Sequence, residues 1–428
     1  MVSTPFTFDR IGCESTLRQR LGEPPPTRIQ VLSGPRQVGK TTLLTGLAEE
    51  LGPAALYVAA DGPEAALPGF WERLWARAEE VSRGQGRAVL LLDELPLLPD
   101  WAGRLKGEWD RITRAKLPIH VVASGSLALS LDVGSRESLA GRFERLVLTH
   151  WSAASLAAAF GLSPDEAADL VVQRGAYPGA MPLRQDLARW TAYIRDAIVE
   201  PAIGRDLLAL APVRRPAMLR QVFALSASSP AQILSLQKLQ GQLQDPGALE
   251  TIAHYLDLLR DAYLVAPLQK YSERPLRRRS APPKLVTLNN ALLCAVDPRP
   301  PPDAATDPAR FGAWVENACL AHAVNSGQEV AYWRDANLEV GAVVQGPWGP
   351  WAIEVKTGPF ATHELRGLAE LTRRHPALRP LVVCDERGLI AADRLGLPAL
   401  HWRRFLHVGD DGPASLLGSS GLRPTRTP

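Results

Sequence analysis

Cysteine is scarce in this chain of 428 residues. The four present, Cys13, Cys294, Cys319 and Cys384, lie far apart and form no CxxC pair. That argues against a disulfide framework or a cysteine zinc site and sets the expectation of a reducing cytoplasm. No apolar run approaches the roughly 18 residues that cross a bilayer, so no membrane partner is expected. The opening "MVSTPFTFDR" has neither the basic start nor the apolar core of a secretory leader. Lysine is rare too: only seven of the 48 basic residues are lysine, an arginine excess that reads as genomic composition. The formal net charge of +3 is too small to attract nucleic acid by itself, so any basic patch has to be local.

What is present suits a globular protein with two or three cores: 46% hydrophobic and 22% charged residues over this length. No internal repeat is visible. After Pro24-Pro25-Pro26, continuously apolar runs ("RIQVLSG", "ALYVAAD", "AVLLLDE", "IHVVASGS") alternate with helical patterns. Short strands of that kind predict a parallel sheet covered on both faces, filling residues 1–150. A helical stretch over 151–215 reads as a lid. Residues 216–296 read as helices followed by a strand pair, and "DPRPPPDAATDP" is a linker over 297–309. Residues 310–410 mix a helix with strands, and 411–428 are expected to be a disordered tail.

The stretch from Gly34 through Pro35, Arg36, Gln37, Val38, Gly39 and Lys40 to Thr41 fits G-x-x-x-x-G-K-[ST] in full, between an apolar strand and a helix. Glycines let backbone N–H groups wrap phosphates, and the helix N-terminus adds its positive end. Lys40 is placed to reach the β and γ phosphates, Thr41 to ligate Mg²⁺, and Thr42 to extend the cradle. "AVLLLDEL" puts Asp93 and Glu94 at a strand end, where the ligand crevice of such a sheet lies. Asp93 is expected to serve Mg²⁺, and Glu94 to polarise the attacking water; an acidic turn after a core strand is the plain alternative. Ser124 and Ser126 end a third strand, either orienting the lytic water or sensing the γ-phosphate, or forming an ordinary turn. Arg142, in "ESLAGRFERL", is either a finger toward a phosphate, in cis or in trans, or a solvated arginine.

These segments, "VLSGPRQVGKTTLL", "LLLDELPLLPDWAGRLKGEWDR", "VVASGS" and "ESLAGR", resemble one prokaryotic branch of the AAA+ ATPases. In that branch a C-terminal domain of unknown function, a winged helix plus a restriction-nuclease-like fold, follows the ATPase core. The resemblance continues through "LQKLQGQLQDPGALETIAHYLDLLRDAYLVAPLQKY", "WVENACLAHAV" and "AIEVK", covering roughly residues 10–400. It implies an α/β fold: a P-loop AAA+ core, a helical lid, a winged helix and a C-terminal α/β nuclease-like domain. It also implies ATP and Mg²⁺ as cofactors and assembly as a homo-oligomer, in a hexameric ring or another form.

Within 216–296, "ILSLQKLQGQLQ", the turn "DPGA" and "LETIAHYLDLLRDAYLV" read as helix, turn and helix, with Ile252, Tyr255, Leu256 and Leu259 on one face. A hairpin with a basic tip follows. Arg274, Arg277, Arg278, Arg279 and Lys284 are its candidates for DNA phosphates. The second helix offers only His254 and Arg260 to a groove, so binding is expected to be largely independent of sequence. A winged helix used for protein packing is the alternative.

The last block places Glu316 on a helix and Glu354-Val355-Lys356 on a strand, the remnant of a metal-dependent nuclease pattern. The strand between them, which usually reads E-V-D in the related family, is Glu339-Val340-Gly341 here. Glycine cannot bind metal, and Glu339 is expected to face the other way. The domain therefore reads as an inactive relic that docks DNA or packs subunits. The functional expectation is a cytoplasmic ATPase that couples hydrolysis to DNA binding or remodelling, in a branch-migration or helicase-like manner. A slow ATP-dependent switch acting on a protein partner, or an active nuclease, are the competing readings.

Overall fold

The computed structural model describes residues 6–25, 28–125, 139–208, 213–245, 247–272 and 281–417. The chain divides into two compact units, residues 1–149 and 150–428. Among the described residues no helix is long and apolar enough to cross a membrane.

The first unit is built on a six-stranded parallel sheet. In chain order its strands are β1 (Phe6–Phe8), β2 (Ile29–Ser33), β3 (Ala55–Ala59), β4 (Ala88–Asp93), β5 (Ile119–Gly125) and β6 (Phe143–Leu148), and in space they run β1-β6-β2-β5-β4-β3. Every residue of β2, β4 and β5 is buried. This is why those runs carry no polar alternation: helices cover both faces of a parallel sheet. Its helices are α1 (Arg10–Leu21), α2 (Lys40–Leu51), α3 (Phe70–Gln85) and α4 (Trp101–Arg114). Helix α3 buries Trp71, Leu74, Trp75 and Ala78, and α4 buries Trp101, Leu105, Trp109 and Ile112. The spacing of three and four residues makes one apolar stripe on each helix. Both stripes join a single cluster with Leu90, Leu92 and Val121 of the sheet. Each large side chain removed from water there stabilises the unit by roughly 1.5–3 kcal/mol before entropy is counted.

The second unit begins with α5 (Ala153–Phe160) and α6 (Pro164–Arg174). Helix α6 starts at a capping box, with the Ser163 N–H donating to Glu166 at 2.9 Å and Glu166 N–H donating back to Ser163 Oγ at 3.3 Å. Further on, α7 (Pro216–Ala227), α8 (Leu236–Gln240) and α9 (Leu249–Asp261) accompany a three-stranded antiparallel sheet of β7 (Gln232–Ile233), β8 (Val265–Leu268) and β9 (Lys284–Thr287), ordered β7-β9-β8. Ile252, Tyr255, Leu256 and Leu259 of α9 are buried together.

A five-stranded mixed sheet follows: β10 (Glu329–Asp335), β11 (Leu338–Gln345), β12 (Trp351–Lys356), β13 (Arg379–Cys384) and β14 (Ala399–His401). The first three strands are antiparallel neighbours and the last three parallel. Parallel pairing needs crossovers, which α11 (Arg366–Arg374) and α12 (Glu386–Arg394) provide, while α10 (Pro308–Asn325) precedes the sheet. Asn317 of that helix takes both backbone groups of Thr287, donating to its carbonyl at 2.8 Å and accepting from its N–H at 2.9 Å. Strand β9 is thereby tied to it. The chain leaving β8 then runs onto the outer edge of β10: Tyr332 N–H donates to the Gln269 carbonyl at 3.1 Å, and Tyr271 N–H to the Tyr332 carbonyl at 2.6 Å.

Candidate functional site

The carboxyl ends of β2, β4 and β5 bring the sequence motifs of the first unit together. Between β2 and α2 the chain turns through Gly34 (φ +152°), Gln37 (φ +63°) and Gly39 (φ +91°). A β-carbon on Gly34 would stand 1.9 Å from the Leu148 carbonyl oxygen at the end of β6, so only glycine fits there. Gly39 is the N-cap of α2, and the helix axis begins at Lys40. The Lys40 side chain is buried, its ammonium donating to the carbonyls of Pro35 at 2.7 Å and Gly34 at 3.1 Å.

Asp93, buried at the end of β4, gathers the other polar groups. Its Oδ2 accepts from the Thr41 hydroxyl at 2.7 Å and from the Tyr57 hydroxyl at 3.0 Å. Its Oδ1 accepts from Ser124 Oγ and, at 3.1 Å, from the Glu94 N–H. Glu94 stands half-buried in the left-handed region (φ +50°), which turns its side chain out of the strand line. Tyr57, on β3, is a partner that the motifs do not announce. Burial and then the Asp93 carboxylate push its phenol up to about 12, so it remains a donor at every physiological pH. The one available signal was a lone polar-tipped aromatic in a strand next to β4. Ser126 lies outside the described residues.

Arg142 is elsewhere. Strand β6 runs parallel to β2 with Phe143 beside Ile29 and Val147 beside Ser33. Arg142 therefore sits at the amino-terminal edge of the sheet while the phosphate loop leaves the carboxyl-terminal edge. From Arg142 to Leu148, which stands against Gly34, there are six strand steps, roughly 20 Å at 3.3 Å each. The Arg142 guanidinium grips Asp110 of α4 with two bonds, at 2.7 and 3.2 Å. That hydrogen bond holds the Asp110 carboxyl below its ordinary range. A finger acting in cis is thereby corrected: within its own unit Arg142 does not reach toward the loop.

In the second unit the basic-tip residues Arg274, Arg277, Arg278 and Arg279 lie outside the described residues. Lys284 requires a correction. It is 1% exposed, and its ammonium donates to Glu316 Oε1 at 2.6 Å, so it cannot meet DNA phosphate. Burial opposes the ammonium, but Glu316, Glu339 and Glu354 outweigh it and hold the lysine above its ordinary value. Nor does α9 present a basic face: Glu250, Asp257 and Asp261 stand against Arg260, which pairs with Asp257 at 2.9 Å and Asp261 at 3.4 Å.

Glu339 is the other correction. It is two residues from Gly341, and the strand period of two puts both on one face. Glu339 Oε1 accordingly lies 3.8 Å from the Lys284 ammonium. Glu354 accepts from the Gly341 N–H at 3.0 Å and pairs with Lys356 at 3.1 Å. Burial pushes the Glu354 carboxyl up, with Lys356 opposing.

Residues 26–156 match a family described as an AAA domain, and residues 165–303 match a domain of unknown function, DUF8612. With the loop and sheet order above, the first unit is an AAA-type P-loop core, and the protein is an ATPase. No curated protein matches the chain. Among solved structures, the RuvB Holliday junction branch migration motor of Thermotoga maritima is 16% identical, with a TM-score of 0.33 over 62% of this chain and 92% of that one. The Aeropyrum pernix ORC1 protein in complex with DNA is 17% identical, with a TM-score of 0.29 over 68% and 93%. A chain from a study of katanin self-assembly is 20% identical, with a TM-score of 0.24 over 35% and 46%. Likeness of that degree carries no argument about what this protein acts on.

Proposed function

We propose that the protein binds ATP with Mg²⁺ at the phosphate loop and uses hydrolysis to move its second unit on DNA. The observation that carries the first half is the 2.7 Å bond between Thr41 Oγ1 and Asp93 Oδ2, beside the buried Lys40. Two hard oxygens meeting at the head of α2 suit Mg²⁺, which when bound would neutralise charge on the β and γ phosphates. Lys40 would turn from the Gly34 and Pro35 carbonyls to the phosphates. The cradle would be completed by backbone N–H groups from Pro35-flanking Arg36 to Thr42. Ser124 and Tyr57 orient Asp93, and Glu94 would take the proton of the attacking water. Arg142, held by Asp110 away from its own loop, would serve only a neighbouring copy in a homo-oligomer. The four buried, free thiols suit a reducing cytoplasm.

The DNA half is supported by the order of α8, α9, β8 and β9, a winged-helix-like arrangement, and by the arginines that the sequence places between the two strands. We also propose its division into a core (1–150), lid (151–215), winged helix (216–296), linker (297–309), inactive nuclease-like domain (310–410) and tail. A second reading has its own support. The acidic α9 and the buried Lys284 favour a switch that holds a protein partner instead of DNA. Steady-state ATP hydrolysis, measured with single strands, duplexes, forks and four-way junctions, separates the two. Lys40→Ala and Glu94→Gln are the controls. Stimulation by one DNA form supports the motor; a slow rate indifferent to all of them refutes it. Replacing Arg277, Arg278 and Arg279 together should flatten the salt dependence of DNA affinity, and an unchanged slope removes the wing from the DNA reading.

A further inference from the structure

Glu316 and Glu354 flank Gly341 in the second unit, and Glu339 reaches Lys284, the partner of Glu316, from the side. A β-carbon at Gly341 would stand 3.2 Å from Glu316 Oε1 and 3.8 Å from Glu354 Oε2. An acidic side chain there would complete a set of carboxylate oxygens of the kind that holds a hard divalent cation. The chain places a cation of its own at this point. Lys284 Nζ lies 2.6 Å from Glu316 Oε1, 3.4 Å from the Gly341 carbonyl and 3.8 Å from Glu339 Oε1. A second ammonium, that of Lys356, takes Glu354 Oε1 at 3.1 Å. The donor set thus fits a metal badly in two ways: glycine supplies no ligand, and ammonium groups already engage the carboxylates that remain.

We propose that Lys284 is a built-in cation that closes this carboxylate site to divalent metal, and that Mg²⁺ or Mn²⁺ can replace it once the ammonium is removed and a carboxylate supplied at position 341. The lysine is poorly placed to swing aside. It is buried at the start of β9, and that strand is fastened to the helix Pro308–Asn325, which carries Glu316, through the two bonds between Asn317 and Thr287. The buried ammonium therefore does in place what a metal ion would otherwise do, holding carboxylates of separate elements together. The inference does not rest on the ATPase reading.

The test is Mn²⁺ binding to the nucleotide-free full chain, followed by electron paramagnetic resonance with circular dichroism in parallel. The proteins are the parent, Gly341→Asp, Lys284→Met/Gly341→Asp and Lys284→Gln/Gly341→Asp. Glutamine keeps a hydrogen-bond donor toward Glu316 and guards against a failure to fold. Either double variant should gain one Mn²⁺ at least tenfold tighter than any in the parent or in Gly341→Asp alone. Folding that appears only when Mn²⁺ is added would support the proposal equally. It is overturned if Gly341→Asp alone gains the ion as tightly, or if folded double variants gain none. It is also overturned if both stay unfolded at every Mn²⁺ concentration.

Discussion

Gly34 tests whether the phosphate loop is held by contact as well as by conformation. In Gly34→Ala the new methyl would begin 1.9 Å from the Leu148 carbonyl oxygen, more than 1 Å inside the closest approach that β-carbons make. Both partners are backbone, at the ends of the paired strands β2 and β6, so neither can rotate away. Overpacking of this sort costs about 1–3 kcal/mol, and a side chain at φ +152° adds about 1–3 kcal/mol of backbone strain. The sum is about 2–6 kcal/mol. Gly39→Ala is the control. Its φ of +91° is also unfavourable to a side chain, but nothing lies within 4 Å of the new carbon, so only the strain of about 1–3 kcal/mol applies. Thermal unfolding of the full chain and hydrogen exchange of the β2 and β6 amides would read the difference. Gly34→Ala should lose more protection in both strands than Gly39→Ala. If the loop shifts by about 1 Å instead, hydrolysis should fall by on the order of 10²-fold. A Gly34→Ala protein with parental melting, exchange and turnover, or a larger stability loss at Gly39, would refute the steric argument.

Tyr57→Phe removes one of two donors to Asp93 Oδ2 and should lower ATP turnover at limiting Mg²⁺ by about tenfold, as a hydrogen bond to a charged group is worth about 1.5–3 kcal/mol. An unchanged Mg²⁺ titration would show that the phenol only packs. Lys284→Met should destabilise the second unit toward the lower end of about 3–5 kcal/mol, because Glu316 is 26% exposed and keeps some water. The folded lysine titrates above its ordinary 10.5, so its contribution is complete below that pH and is lost as pH rises through the folded value. The melting difference between parent and variant should be flat from pH 7 to 10 and shrink above; a difference that shrinks below pH 9 contradicts the pairing. Arg142→Ala should reduce hydrolysis only at concentrations where copies associate, and mixing it with Lys40→Ala should restore part of the rate. A loss that persists in dilute monomer would place the arginine in cis.

Legibility followed sequence distance. The loop from Gly34 to Thr41 and the pair Asp93-Glu94 are local patterns, each set by a strand end and a turn, and the sequence states both spacings outright. The buried strands were equally plain, since a sheet covered on both faces writes itself as unbroken apolar runs. Lys284 was misleading for the opposite reason. Its neighbours in sequence are arginines, but its partners are Glu316 and Gly341, far along the chain, and no local pattern can report that pairing. Arg142 reads as part of the site because it lies in "ESLAGR", one of the segments that carry the family resemblance. Only the parallel register of β6 on β2 shows that it starts at the wrong edge. Tyr57 belongs to the edge strand, where one polar tip among apolar neighbours carries no direction.

The bonds of Tyr332 have a mechanical consequence. Edge strands invite pairing with other chains, and this one is covered where the segment after β8 lies along it. The same two bonds also anchor Tyr271, three residues before Arg274, the first arginine of the basic sequence. A pull on the chain at Tyr271 would therefore reach the five-stranded sheet through backbone bonds loaded side by side.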